Sequence, residues 1–231
     1  MCRRPELLLV MTDEIERHVT IPIDGVELEG ELVVPVESTG LVVFSHGSGS
    51  SRKSPRNNFV ARTLQRRGLA TLLFDLLTED EDREYERRFD ISLLTDRLVA
   101  VTAWLDRQPA TSGLHYGYFG SSTGAASALG AAARRKQETG AVVSRGGRVD
   151  LAAVVFDEVT WPTLLIVGER DHQVLERNRA ALEELDCETN LEVVEGASHL
   201  FEEPGTLERV ATLAADWFTT YLDPSTSDHA A

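Results

Sequence analysis

Apolar residues recur along this chain in two patterns. The first is a series of short apolar runs: Leu41–Ser45, Leu69–Leu76, Leu114–Phe119, Ala141–Ser144, Thr163–Val167 and Leu191–Val194. Runs of this length, rich in Val, Leu and Ile, suit strands with both faces covered. The second pattern has helical spacing and fills the gaps between the runs. Asn58 to Gly68 predicts a helix ended by its glycine. Leu94, Leu98, Val101 and Leu105 line one face of a helix over 93–105. Ala125–Arg135, a segment starting near Val174, and Pro204–Leu222 with Leu207, Val210, Leu213 and Phe218 in its stripe continue the series. Strands that alternate with helices of this length are joined by crossovers and lie parallel.

The start of the chain differs. Residues 18–36 alternate polar and apolar, with Asp24-Gly25 between two halves, the signal of an antiparallel hairpin. The acidic stretch Glu79–Glu84 is too polar to pack and is expected as a solvated loop near the sheet edge. The sum is an α/β fold: a mostly parallel twisted sheet opened by an antiparallel hairpin, with helices on both faces. A single domain is expected over residues 18–222, after an extension at 1–17 and before a polar, frayed tail at 223–231. Met11 is an alternative start, because the regular pattern begins after it. The spacing leaves no room for a large cap, so an open, shallow pocket for small or flexible substrates is expected.

Candidate chemistry centres on Gly120-Ser121-Ser122-Thr123-Gly124, a G-x-S-x-G pattern between a strand and a helix. A strand that turns sharply into a helix strains its turn residue and pushes the serine hydroxyl outward. The helix N-terminus beside it favours developing negative charge. A serine nucleophile needs a base, and the base an orienting acid. Asp171 and His199 supply them in the order Ser, Asp, His, each just past a strand-like run. All three therefore gather at the carboxyl edge of one sheet, where open α/β sheets place their sites. Singly, Asp171 could be a helix cap and His199 a surface residue.

Leu41–Phe44 runs into the small, glycine-rich loop Ser45-His46-Gly47-Ser48-Gly49-Ser50. The backbone N–H groups of Ser48 and Thr123 are the expected oxyanion donors, with His46 ordering the loop. A phosphate cradle is excluded on spacing, since neither G-x-x-x-x-G-K-[ST] nor G-x-G-x-x-G is completed. Arg145 and Arg148, at the end of a strand, are candidates to hold a substrate carboxylate; ion pairs with Asp150 or the acidic stretch are the alternative.

Together these motifs, with Arg145-Gly146-Gly147-Arg148, Gly168-Glu169-Arg170-Asp171 and Gly196-Ala197-Ser198-His199-Leu200-Phe201, resemble those of α/β-hydrolases. More narrowly, the chain resembles the small, lidless, dienelactone-hydrolase-like branch. The resemblance implies hydrolysis of a carboxylic ester, lactone or thioester. Dienelactone hydrolase itself carries a cysteine nucleophile where this chain has Ser122, a difference that bears on the substrate and leaves acyl transfer to water intact. Members of the branch also occur fused to phosphoribosyltransferase domains, and no such domain is expected here. Amidase, thioesterase and perhydrolase chemistry, and a non-catalytic binding or regulatory protein on the same fold, remain the alternatives.

Charge narrows the partners. With 38 acidic and 23 basic residues the net charge is −15, which repels nucleic acid and anionic membranes. A small acyl substrate is the expected partner. The acidity suits a high-salt cytoplasm, where screening shortens self-repulsion; a GC-rich genome with an acidic proteome is the other account. Cys2 and Cys187 have no companions at metal-ligand spacing, so neither a disulfide framework nor a metal site is expected, nor is any cofactor. No apolar stretch approaches a membrane span, and a reducing cytoplasm is the expected location.

Overall fold

A computed structural model describes residues 15–223; Cys2, Met11, most of the expected extension and nearly all of the expected tail lie outside them. Strands β1 (Ile15–Ile23) and β2 (Val26–Val34) form the hairpin, and Asp24 and Gly25 at its tip have positive φ as a tight primed turn requires. β1 begins at Ile15, earlier than the alternation indicates, because Ile15 pairs with Val34. There follow β3 (Gly40–Ser45), α1 (Pro55–Gln65), β4 (Leu69–Phe74), α2 (Glu79–Asp82), α3 (Ile91–Leu105), β5 (His115–Ser121), α4 (Thr123–Arg134), β6 (Thr139–Arg145), β7 (Thr163–Gly168), α5 (His172–Glu184), β8 (Thr189–Val194) and α6 (Thr206–Tyr221).

The strands form one eight-stranded sheet in the order β1-β2-β4-β3-β5-β6-β7-β8. β2 is antiparallel to both neighbours, and the pairs from β4 to β8 are parallel. The carboxyl ends of β3, β5, β6 and β7 therefore share one edge. Period-two alternation sends side chains of the central strands into two cores. Val42, Phe44, Phe119, Val143 and Ile166 pack against Val60 and Leu64 of α1 and Val210 and Phe218 of α6. Leu41, Val43, Tyr118, Val142 and Leu165 pack against Leu98 and Val101 of α3, Leu129 of α4 and Ala181 of α5. Each large side chain so buried contributes roughly 1.5–3 kcal/mol.

Helix starts follow caps. α1 begins at Pro55, ahead of the expected Asn58, because the Ser54 hydroxyl accepts from the Asn57 N–H and proline tolerates the first helical position. α3 begins at Ile91, where Asp90 accepts from the Leu93 N–H at 3.0 Å. Residues 149–158 form two short 3-10 pieces that meet at a kink at Ala152, which the sequence pattern does not predict.

The acidic stretch is solvent-facing as expected, with no buried residue in Glu79–Asp82, but it is not a loop. Glu79–Asp82 is a helical turn closed by a reciprocal cap: Thr78 Oγ1 accepts from the Glu81 N–H (3.2 Å) and Glu81 Oε2 accepts from the Thr78 N–H (2.9 Å). Its other oxygen accepts from Arg97 Nη2 of α3 at 2.9 Å, with side chains only 13% and 9% exposed. A 3-10 turn, Tyr85–Phe89, then leads into α3. Burial pushes the Glu81 carboxyl upward, but the Thr78 hydrogen bonds and Arg97 outweigh it and hold the group below its usual range. One carboxylate of the run is thus claimed by the core, while Asp80 stays outside in an exposed i,i+3 pair with Arg83.

Among the described residues no helix is long and apolar enough to cross a membrane. Glu81→Ala should cost about 3 kcal/mol by urea denaturation, because it strands a buried guanidinium, whereas the double change Glu81→Leu with Arg97→Met should cost distinctly less.

Candidate active site

The chain passes from β5 into α4 through Ser122, whose φ of 52° and ψ of −123° are foreign to a residue with a side chain. Such a conformation costs roughly 1–3 kcal/mol and persists only when its surroundings over-determine it. Here the Ser122 N–H donates to the Arg145 carbonyl (3.2 Å), and the Ser122 carbonyl accepts from the N–H groups of Ala125 (3.1 Å) and Arg148 (2.9 Å). The flanking glycines are steric necessities. A Cβ on Gly124 would lie 2.2 Å from the Ser45 oxygen, and one on Gly120 would lie 2.4 Å from Ala125 Cα. α4 is therefore pressed against the end of β3. Ser122 is left half-buried at the helix N-terminus, and its side chain caps nothing.

Asp171 follows β7 and occupies the N-cap position of α5, yet its side chain makes no capping bond. It turns instead to His199: Nδ1 lies 2.5 Å from Asp171 Oδ2. Asp171 is well covered at 14% side-chain exposure and His199 is more open at 40%. With the carboxylate on one side, Nδ1 carries the hydrogen and Nε2 is the basic nitrogen. The histidine loop is fastened by Arg170 N–H to Ala197 carbonyl (2.9 Å), Ser198 N–H to Glu203 Oε2 (3.0 Å) and the buried Phe201.

Residues 145–146 adjoin both base and nucleophile. Arg145 supplies the carbonyl that takes the Ser122 N–H, and a Cβ on Gly146 would lie 3.4 Å from His199 Cε1 and Nδ1. The Ser122 backbone and the His199 imidazole thus adjoin the same two residues. Among the described residues, no hydrogen bond joins Ser122 Oγ to His199.

The loop after β3 folds over the elbow, and a Cβ on Gly47 would lie 3.0 Å from Ser122 Cβ. Thr123 is the first residue of α4, so its N–H has no partner within the helix. The second expected donor is engaged: the Ser48 N–H donates to Thr123 Oγ1 at 2.9 Å. His46 ties the loop to the segment just after β4. Its Nδ1 lies 3.0 Å from the Gly47 carbonyl, and its Nε2 accepts from the Leu76 N–H at 3.1 Å. A donor facing Nε2 and an acceptor facing Nδ1 select one neutral tautomer. Burial lowers the His46 pKa, against smaller opposing effects of the Gly47 carbonyl, Asp75 and Asp82. Beside this loop lies a cleft of about 430 Å³ lined by His46, Ser50, Arg52, Asp75, Thr78 and Asp82 among others.

The two arginines differ. Arg148 grips Asp150 with Nε and Nη2, each 2.8 Å from a carboxylate oxygen. Arg145 is buried, with no ion-pair partner among the described residues. The sequence pattern missed its neighbour Arg56: with α1 expected from Asn58, nothing marked Arg56 as lying on the first turn of that helix. Among the described residues no group of three or more His, Cys, Asp or Glu is placed to hold a metal ion.

An eight-stranded sheet of this order, with a strained serine at a strand-to-helix turn and an Asp-His pair on the next loops, defines an α/β-hydrolase. No protein-family model matches the chain. Among solved structures, a dienelactone hydrolase from Anabaena variabilis is 52% identical, with a TM-score of 0.87 over 90% of this chain and 99% of that one. The chain belongs to the dienelactone hydrolase family. An esterase from Pyrococcus furiosus shares the fold at 18% identity and a TM-score of 0.74, over 91% of this chain and 92% of its own. Two Mycobacterium tuberculosis proteins bearing the provisional name phosphoribosyl transferase are 54% identical over 207 residues, 90% of this chain. The chain spans about half the length of these curated relatives, 47%.

The neutral His46 gives a pH dependence with a definite sign. Its native pKa is lowered, so between that value and about 6.5 the unfolded chain binds the extra proton. The stability due to neutral His46 is complete above about 6.5 and drains away as the pH falls toward the native pKa. Urea midpoints at pH 7.5 and 5.5 should fall further for the wild type than for His46→Asn.

Proposed function

We propose that this chain is a serine hydrolase that cleaves a carboxylic ester, lactone or thioester through an acyl-serine. The observation that carries the proposal is the Asp171–His199 bond, 2.5 Å long, made by an aspartate that forgoes the helix cap its position offers. Beside it, the chain holds Ser122 in a strained conformation at the N-terminus of α4, its side chain capping nothing.

Ser122 Oγ attacks the carbonyl carbon while His199 Nε2 takes its proton. Asp171 keeps His199 in the Nδ1–H tautomer and stabilises the imidazolium. The carbonyl π pair moves onto oxygen, where the N–H groups of Thr123 and Ser48 receive it. The Ser48 N–H then exchanges the Thr123 hydroxyl for the oxyanion; a donor of this kind is worth about 3–4 kcal/mol of transition-state stabilisation. His199 returns its proton to the leaving oxygen or sulfur, the acyl-serine forms, and His199 next activates water to release the acid.

The Anabaena protein's name fits these residues better than the transferase name of the mycobacterial relatives, which are about twice as long. The glycine-rich loop packs onto Ser122 and gives its Ser48 N–H to a side chain, so it is not an open phosphate cradle. A small uncharged or singly charged acyl compound is the proposed substrate. Nucleic acid and anionic membranes are disfavoured by the net charge of −15, and a reducing cytoplasm remains the proposed location.

Ser122→Ala should abolish hydrolysis of p-nitrophenyl acetate, and Asp171→Asn should lower kcat by roughly 10⁴-fold with KM little changed. Turnover by Ser122→Ala at most of the wild-type rate would refute the nucleophile. A wild type that neither turns over an ester nor reacts with a fluorophosphonate would favour a non-catalytic binding protein instead. Amidase and perhydrolase chemistry would proceed through the same acyl-serine and are separated by offering amide substrates and hydrogen peroxide.

A further inference from the structure

Arg145 poses an electrostatic problem that the proposed mechanism does not use. It ends β6, beside Ser121 of β5, with the residue 8% exposed. Its Nε and Nη1 are sealed from solvent and have no hydrogen-bond partner among the described residues. A buried charge without a counter-charge is strongly destabilising, and proteins seldom keep one. Scarcity of carboxylates is not the reason, because the chain has 38 acidic residues and none of those described forms an ion pair with Arg145.

The neighbourhood adds positive charge. Val143, two residues earlier on the strand, packs into the core that α1 covers, so Arg145 projects on the α1 side of the sheet. Arg56, in the first turn of α1, is the charge that acts on it, and burial with this neighbour pushes the Arg145 pKa down to about 10. At neutral pH the Arg145 guanidinium therefore stays charged. Arg56 donates through Nη1 to Glu202 Oε1 at 3.2 Å, a carboxylate with 63% side-chain exposure, while its own Nε is sealed and unpartnered. The N-terminus of the 11-residue α1 adds its partial positive charge. Arg145, Arg56 and the α1 N-terminus thus add positive charge on one side of the sheet, where Arg56 also reaches Glu202 of the histidine loop.

We propose that Arg145 and Arg56 bind a small monovalent anion of carboxylate size at the N-terminus of α1. An occupied site would steady residues 145–146, which adjoin Ser122 and His199. The anion is either a free ion or a carboxylate that the substrate itself carries; the second source rests on the hydrolase reading, the binding does not.

The test is thermal unfolding of the whole chain in a bulky sulfonate buffer, with sodium acetate and then sodium chloride titrated at constant ionic strength. The wild type should gain a few degrees saturably. Arg145→Met should show no such gain and should be at least as stable as the ion-free wild type, because it removes the unpaired charge. A wild-type Tm indifferent to both anions, or an equal response in Arg145→Met, would overturn the proposal. Should Arg145→Met not fold, bromide-soaked wild-type crystals decide: an anomalous peak between Arg145 and Arg56 supports the site, and its absence refutes it.

Kinetics separate the sources. At least a tenfold higher kcat/KM for the mono-p-nitrophenyl ester of glutarate than for p-nitrophenyl acetate, lost in Arg145→Met, assigns the anion to the substrate. Equal values, with the Tm response intact, assign it to a free ion. A saturable Tm response with no ester turned over leaves the anion site standing and sinks the hydrolase proposal alone.

Discussion

The backbone at Ser122 sits where a side-chain-bearing residue does not belong, and neighbouring elements are arranged around keeping it there. α4 approaches the end of β3 so closely that no side chain fits at Gly124. Ser45 and Ser127 then meet across the same junction at 2.8 Å, and the Thr123 hydroxyl takes the Ser48 N–H from the loop above. On the other side, the Arg145 carbonyl and the Arg148 N–H clamp the serine's peptide groups. Relaxing Ser122 would break contacts with two strands and a loop at once. The local strain of roughly 1–3 kcal/mol is borne by packing that the rest of the sheet already requires.

The polar groups near the sheet edge fall into three energetic classes. Glu81 and Arg97 are mostly covered and paired, so each desolvation penalty is offset by the other charge and by the Thr78 cap. His46 avoids the penalty by remaining neutral, which its two backbone partners make favourable. Arg145 does neither, since an arginine cannot lose its charge at neutral pH and no carboxylate of the described residues pairs with it. The contrast within one molecule is informative. The chain satisfies its buried ions elsewhere, so the unpaired one stands out against that background.

Asp171 shows how position and role separate. By sequence it is an ordinary helix cap, and it does stand at the head of α5. Its carboxylate makes no capping bond and instead takes His199, carried in on the loop after β8. The close passage of that loop over the end of β7 places a Cβ on Gly168 2.5 Å from the Ala197 oxygen, which accounts for the glycine before Glu169-Arg170-Asp171.

The order of strands and helices, the hairpin at Asp24-Gly25 and the Ser, Asp, His sequence were all readable from local pattern. Apolar periodicity and turn chemistry act over a few residues, and the direction of a strand follows from what connects it to the next. That Ser122, Asp171 and His199 each follow a strand was legible, because an apolar run precedes each of them. The acidic stretch was misread because charge density describes a segment's average, whereas one capping box and one partner on α3 decided its structure. Whether Asp171 caps or orients, whether the Ser48 N–H is free, and which arginine finds a carboxylate were settled only by tertiary structure. Arg145 and Arg148 look equivalent in sequence. Strand alternation and a neighbouring acid at Asp150 pair one at the surface and bury the other alone, because an ion pair depends on distance through space, which local sequence does not encode.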